Sequence, residues 1–273
     1  MNVISAKLDI IFKKLFTSDN TVLTAFVADL LDIPREEIQK VDVLNPELLP
    51  ETEEGKHCQL DIKLSVNDKI VNVEIQVYNQ ADYRERALYY WSKMFTGELK
   101  KGEQYIGLKQ TISINILNFN LFDCSEPYST FRLLETKRHE LLTDKCSILF
   151  FELKKVNGKI DRNNRKKLWL QLINAETEEE LDMLKETGVE EIGKAVVIMH
   201  EMSEDEKIRE MAMQREKWLR DEFGIREYAR REGLEEGRAQ GMAQGRAEGE
   251  ANVIAKLRKK GFSEEEIREI LDS

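Results

Sequence analysis

Apolar and polar residues alternate with the period of a strand in two short stretches, Leu60-Asp61-Ile62-Lys63-Leu64-Ser65-Val66 and Val71-Asn72-Val73-Glu74-Ile75-Gln76-Val77. Each reads as a β-strand with one buried face. Asn67-Asp68-Lys69 between them favours a turn. If Asn67 and Asp68 form a two-residue loop, Val66 pairs with Lys69 and Asp61 falls opposite Glu74. Both acids then point away from the Ile62, Leu64, Val73, Ile75 face, and Gln76 lies on their side. A three-residue loop would shift the register by one and separate the acids.

Elsewhere the apolar spacing is mostly helical. Residues 5–17 predict a helix with Leu8, Ile11, Phe12 and Leu15 on one side, residues 20–31 a second that ends before Pro34, and residues 36–39 a short turn. A Pro- and Glu-bearing connection over 44–54 leads into the hairpin. Residues 83–95 predict a helix whose buried stripe is Tyr83, Ala87, Tyr90 or Trp91, and Met94, with Arg86, Tyr89 or Tyr90, and Lys93 on an exposed one. Residues 111–122 and 147–153 read as further strands, with 131–134 a third. Together these make an α/β fold, a mixed sheet flanked by helices. After a polar connection at 155–165 only helices are expected, over 167–173, 177–185, 190–200 and from about 205. The organisation expected is a sheet-bearing domain at 1–155, a helical connector at 156–204 and a tail at 205–273.

The tail carries the chain's one internal period: glycine at positions 233, 237, 241, 245 and 249. Glycine disfavours a helix by about 1 kcal/mol against alanine, so a stripe of it needs a compensation. Close helix–helix approach supplies one, which points to a homo-oligomer built through the C-terminal helix; the alternative is a flexible linker. Residues 251–260 and 263–271 read as a terminal helical hairpin, with Gly261 ending the first arm and Ser263 and Glu266 capping the second. Met199, Met202, Met211 and Met213 precede the stripe, so an internal start would give a tail-only product able to join the full chain and limit its activity.

Composition narrows the classes. The chain has 42 Lys and Arg against 52 Asp and Glu, a formal net charge of −10, which argues mildly against a large nucleic-acid surface. The acid is concentrated toward the C-terminus, leaving room for a local basic patch. No apolar run nears the roughly 20 residues of a membrane span, and the N-terminus lacks a signal-peptide core. Three scattered cysteines suggest neither a disulfide framework nor a zinc site and fit a reducing cytoplasm. His57, near the proposed site, reads as a lone surface histidine.

Opposed carboxylates on a sheet lie about 4.5–5.5 Å apart at Cβ and repel one another. A hard divalent cation between Asp61 and Glu74 would relieve that repulsion; the alternative is the solvated face of an ordinary hairpin. The arrangement resembles the PD-(D/E)XK nuclease superfamily, in which an Asp on one strand and Glu-x-Lys on the next hold metal and position water. Gln76 stands where that superfamily usually has Lys. Several segments are similar in order to the Rpn family of recombination-promoting nucleases, also called putative transposases: Asp9-Ile10-Ile11-Phe12-Lys13-Lys14-Leu15-Phe16, the Glu-x-Gln of residues 74–76, Arg86-Ala87-Leu88-Tyr89-Tyr90-Trp91 and Lys101-Gly102-Glu103-Gln104-Tyr105.

The resemblance implies a DNA endonuclease using Mg²⁺, with Mn²⁺ as the alternative. Asp61 and Glu74 would hold the metal, Asp9 would assist from the first helix, and Gln76 would orient water. Arg86, Tyr90 and Lys93, cations beside aromatics in the 83–95 helix, suit a nucleic-acid backbone and unstacked bases, the alternative being a solvated basic face, and Lys13 would also contact DNA. Apart from the family match, Asp9 and Lys13 would read as a surface i,i+4 ion pair. Gln76→Lys, which restores the usual charge, would retain or raise activity. A second hypothesis is a catalytically degenerate assembly or regulatory module, which the neutral Gln76 favours and the retained acids oppose.

Overall fold

The computed structural model describes residues 3–44, 47–48, 58–79, 82–99 and 102–272. His57, Lys101 and most of the 44–54 connection lie outside the described residues. By its contacts the chain divides into two units, Met1–Glu216 and Lys217–Ser273.

In the first unit two helices, α1 (Asp9–Thr17) and α2 (Asn20–Leu31), precede strand β1 (Val41–Leu44) and the short ladder of β2 (Glu47–Leu48) with β3 (Cys58–Gln59). Then come β4 (Ile62–Val66), β5 (Lys69–Gln76), α3 (Tyr83–Thr96), β6 (Thr111–Leu117), β7 (Tyr128–Phe131) and β8 (Cys146–Glu152). Helices α4 (Arg165–Asn174), α5 (Glu178–Lys185) and α6 (Glu190–Glu204) follow. The main sheet has six strands in the order β1-β4-β5-β6-β8-β7. It is mixed: β5–β6 and β6–β8 are parallel, while β1–β4, β4–β5 and β7–β8 are antiparallel.

The hairpin forms in the expected register, with Val66 opposite Lys69. Asn67 takes a φ of +52°, a conformation asparagine tolerates. Its side chain then staples the turn to the preceding loop, accepting from the Gln39 N–H at 2.9 Å and donating to the Glu37 carbonyl at 2.8 Å.

Helix α3 covers β6 and β8 with Tyr83, Ala87 and Trp91 against Leu117, Ile148 and Phe150. A second cluster holds α1, α2 and α4 together: Phe16 stacks on Phe26 at 3.9 Å between ring centres, and Trp169 meets Phe26 edge-on. The Trp169 Nε1–H is satisfied by Asp29 at 2.7 Å. Burying aromatics of this size dominates a core's stability. The whole of the α4–α6 connector contributes to that core, through buried Leu168, Trp169, Leu181, Ile192 and Met199.

Some expected boundaries shift, each for a visible reason. Helix α1 begins at Asp9 rather than residue 5, because residues 5–8 form a tight turn closed by the Leu8 N–H on the Ser5 carbonyl. Strand β6 ends at Leu117 rather than 122, because the chain turns to give the Leu121 and Phe122 N–H groups to buried Glu152. The strand expected at 131–134 lies at Tyr128–Phe131, where β8 offers its edge; Leu134 makes only an isolated bridge to Leu141.

Helix α7 (Glu206–Lys259) is a single helix of 54 residues, and α8 (Glu264–Asp272) follows it. The first arm of the expected terminal hairpin is therefore the end of α7. Gly261, at φ +92°, ends it, and Ser263 and Glu266 exchange hydrogen bonds as expected at 2.8 and 3.3 Å. Around each glycine of the stripe, a Cβ would meet nothing within 4 Å.

Candidate active site

The site lies where the β4–β5 ladder stops. Its last pair is Ile62 with Val73, and Asp61 bends away just before β4 begins. With no strand residue left to bond the Ile75 N–H, the Asp61 carboxylate accepts it at 2.7 Å through Oδ2. In return the Asp61 N–H donates to Glu74 Oε1 at 3.2 Å, and Asn72 Nδ2 donates to the same oxygen at 3.1 Å. The two acids are thus interlocked through backbone just beyond the last pair of the ladder.

Both are held against their ordinary chemistry. Burial raises the Asp61 pKa from 3.8 to about 6; the Ile75 hydrogen bond opposes this and the Asp9 charge adds to it. Burial also pushes Glu74 well up, with the Asp61 charge second. Desolvation penalises each carboxylate, and a neighbouring negative charge adds to it in both cases, Asp9 beside Asp61 and Asp61 beside Glu74. Arg86 from α3 works the opposite way on both.

Arg86 reaches the pair from the helix that follows the hairpin. Its Nη2 donates to Gln76 Oε1 at 2.8 Å, and its guanidinium lies over the rings of Tyr83 and Tyr90 at 5.2 and 5.5 Å. Tyr83 is fixed in turn by donating its hydroxyl to Asn115 Oδ1 at 3.0 Å, and Asn115 bonds to Ser113 and the Leu149 carbonyl. A buried polar network satisfied in this way rigidifies what it supports.

Asp9 comes from α1, and its partner is Arg215 of α7, whose Nε donates to Oδ1 at 2.8 Å while Nη2 donates to Oδ2. Lys13, one turn along α1, is exposed and forms no pair with Asp9. The structure therefore gathers Asp9, Asp61, Glu74, Gln76, Arg86 and Tyr90. Lys93 sits further along α3, with its ammonium 6.0 Å from the ring centre of Tyr89.

Sequence reasoning missed Arg215. Its signal was a stripe at helical spacing: Ile208 and Ala212 are the buried residues of α7, and Arg215 continues that face. Asn72 was also missed. It is fully buried, and its Oδ1 has no hydrogen-bond partner.

The donor set suits a hard divalent cation. It is all oxygen, its two acids repel one another, and the unpartnered amide oxygen of Asn72 lies two residues before Glu74 on the same strand. Mg²⁺ is commonly held by one or two carboxylates, with water and substrate phosphates completing the shell. Among the described residues no cage of three or more His, Cys, Asp or Glu side chains exists, so the protein's share would be the acid pair.

The mixed six-stranded sheet flanked by helices is that of a nuclease-type α/β protein. Residues 6–229 match the PD-(D/E)XK nuclease family transposases, and the chain belongs to that family. No curated protein matches it. No helix among the described residues is long and apolar enough to cross a membrane.

Proposed function

We propose that this chain is a metal-dependent DNA endonuclease that hydrolyses phosphodiester bonds and acts in the cytoplasm. One observation carries the reading: two carboxyls, Asp61 and Glu74, are interlocked through the Asp61 N–H and the Ile75 N–H, and burial holds both above the ordinary carboxylate range. A fold does not keep such a mutually repelling pair for stability. A divalent ion, Mg²⁺ or Mn²⁺, held by Asp61 and Glu74 would supply Lewis acidity toward the phosphate and a more acidic water.

The chain's own residues do the rest. Ile75 N–H and Asn72 Nδ2 fix the two carboxylates. Arg86 brings positive charge from α3, and Tyr90 beside it offers a ring to a nucleotide. Lys93 and Lys13 would add phosphate contacts that set affinity rather than sequence preference. The family resemblance points to a role in recombination, mobile-element biology or phage defence. Purified protein should nick supercoiled plasmid with Mg²⁺ and spare it with EDTA. Intact plasmid in Mg²⁺ and in Mn²⁺ would refute the reading.

A second reading, an assembly or regulatory module without catalysis, draws on Arg215, which closes the first-helix acid with a guanidinium fork. The two readings part at Arg215→Ala. If the acids bind metal, freeing Asp9 adds a third carboxylate beside the pair. The variant should then be less stable without metal, by about 1–3 kcal/mol for a broken charged hydrogen bond. It should also need less Mg²⁺ for half of the thermal shift. A thermal shift with the same Mg²⁺ dependence as wild type would favour the module.

A further inference from the structure

The strand position two residues after Glu74 carries a neutral amide, yet phosphoryl transfer gathers negative charge that needs a fixed positive partner. Gln76 does not fill that need, and its amide is engaged at both ends. Oε1 accepts from Arg86 at 2.8 Å, and Nε2 donates to the Tyr78 carbonyl at 3.4 Å. The water-orienting role expected from sequence would compete with both bonds.

We propose that the Arg86 guanidinium is the cation that meets the scissile phosphate, and that Gln76 is the positioning residue that aims it. The inference rests on the nuclease reading and names the group that completes that site. Three constraints converge on Arg86. The Gln76 oxygen fixes one arm of its fork, its guanidinium carbon lies over the Tyr83 and Tyr90 rings, and Tyr83 is itself anchored on Asn115. A guanidinium held this way is preorganised, with planar donors matched to phosphate oxygens. The site's other arginine is committed differently, because Arg215 spends two donors on the Asp9 carboxylate. Arg84, also on α3, donates to the Leu121 carbonyl and stacks on Phe122 at 4.8 Å.

The positive charge has thus moved from the strand to the neighbouring helix, and the strand residue has become its holder. This reverses the expectation for Gln76→Lys. An ammonium at 76 would remove the acceptor for Arg86 and set a like charge beside it.

The test is single-turnover cleavage of a labelled duplex in Mg²⁺, with binding of the same duplex measured in Ca²⁺. Arg86→Ala should slow cleavage by about 10²-fold or more, the scale of losing one preorganised donor, while Ca²⁺-supported binding weakens less than tenfold. Arg86→Lys should recover part of the rate. Gln76→Leu should slow cleavage alone and add nothing to Arg86→Ala, since it acts through the same group. Gln76→Lys should impair the wild type but improve Arg86→Ala by restoring one cation. A merely structural role would not produce that change of sign. Wild-type cleavage by Arg86→Ala, or additive losses in the double variant, would overturn the inference. If Asp61→Asn is inactive while Arg86→Ala is not, this inference alone fails. If wild type does not cleave, the nuclease reading fails and takes it along.

Discussion

Asp61→Asn and Glu74→Gln should each lower Mg²⁺-dependent cleavage by about 10³-fold, roughly 4 kcal/mol of transition-state stabilisation, and should raise the melting temperature of the metal-free protein. The amides keep the local hydrogen bonds: Asn still accepts the Ile75 N–H, and Gln still accepts from Asp61 and Asn72. They remove only the charge. Alanine is a poorer test, because Asp61→Ala strands the Ile75 N–H at a cost of about 1–3 kcal/mol.

The gain should depend on pH with a definite sign. Asp61 titrates near 3.8 when unfolded and at about 6 when folded. The folded chain therefore holds this proton more tightly, and the contribution to stability is full below pH 4 and lost as pH rises through 6. Beyond pH 6 the charged carboxylate costs the fold on the order of 3 kcal/mol, and Glu74 shifts in the same direction. Wild type and Asp61→Asn should melt together near pH 4 and separate by pH 8, with the variant higher. Mg²⁺ should close the gap by stabilising wild type alone. A constant difference across that range would show that the carboxyl is not strained by burial.

Replacing Gly233, Gly237, Gly241, Gly245 and Gly249 together by Ala should have two opposite effects. In the single chain each new methyl enters open space, so the helix gains about 0.8–1 kcal/mol per site, roughly 4–5 kcal/mol in all. If two helices approach along this stripe, the same methyls hold them apart, and self-association should weaken by at least about 100-fold. Circular dichroism reads the first effect and light scattering the second. Raised helicity with an unchanged number of chains per particle would leave the stripe without a role in assembly.

The hairpin was legible because its information is local. The Asn67-Asp68 turn assigns the register and so brings Asp61 to Glu74, but alternation assigns the faces of β4 alone, because β5 is buried on both and its Asn72 and Glu74 lie inside as well. Helix α2 was legible from its apolar pattern, with Asp19 capping its first turn through the Thr21 and Val22 N–H groups. What could not be read is the rotation of one element against another. A helical pattern puts Arg86 on a stripe, but only the docking of α3 onto β6 and β8 turns that stripe toward Gln76. The pairing of Asp9 with Arg215 joins residues 206 positions apart, and no local pattern specifies a partner at that separation. Lys13, the nearer and more obvious partner, stays exposed while Arg215 takes the Asp9 carboxylate.

Those two separations also set an order of events. The Asp61–Glu74 contact closes a loop of 13 residues, whereas the Asp9–Arg215 fork closes one of 206. Loop-closure entropy grows with length, and local pairings form before distant ones. Synthesis adds a stricter constraint, because a chain made from its N-terminus contains the hairpin long before residue 215 exists. Asp9 therefore has no guanidinium partner until the first turns of α7 have been made.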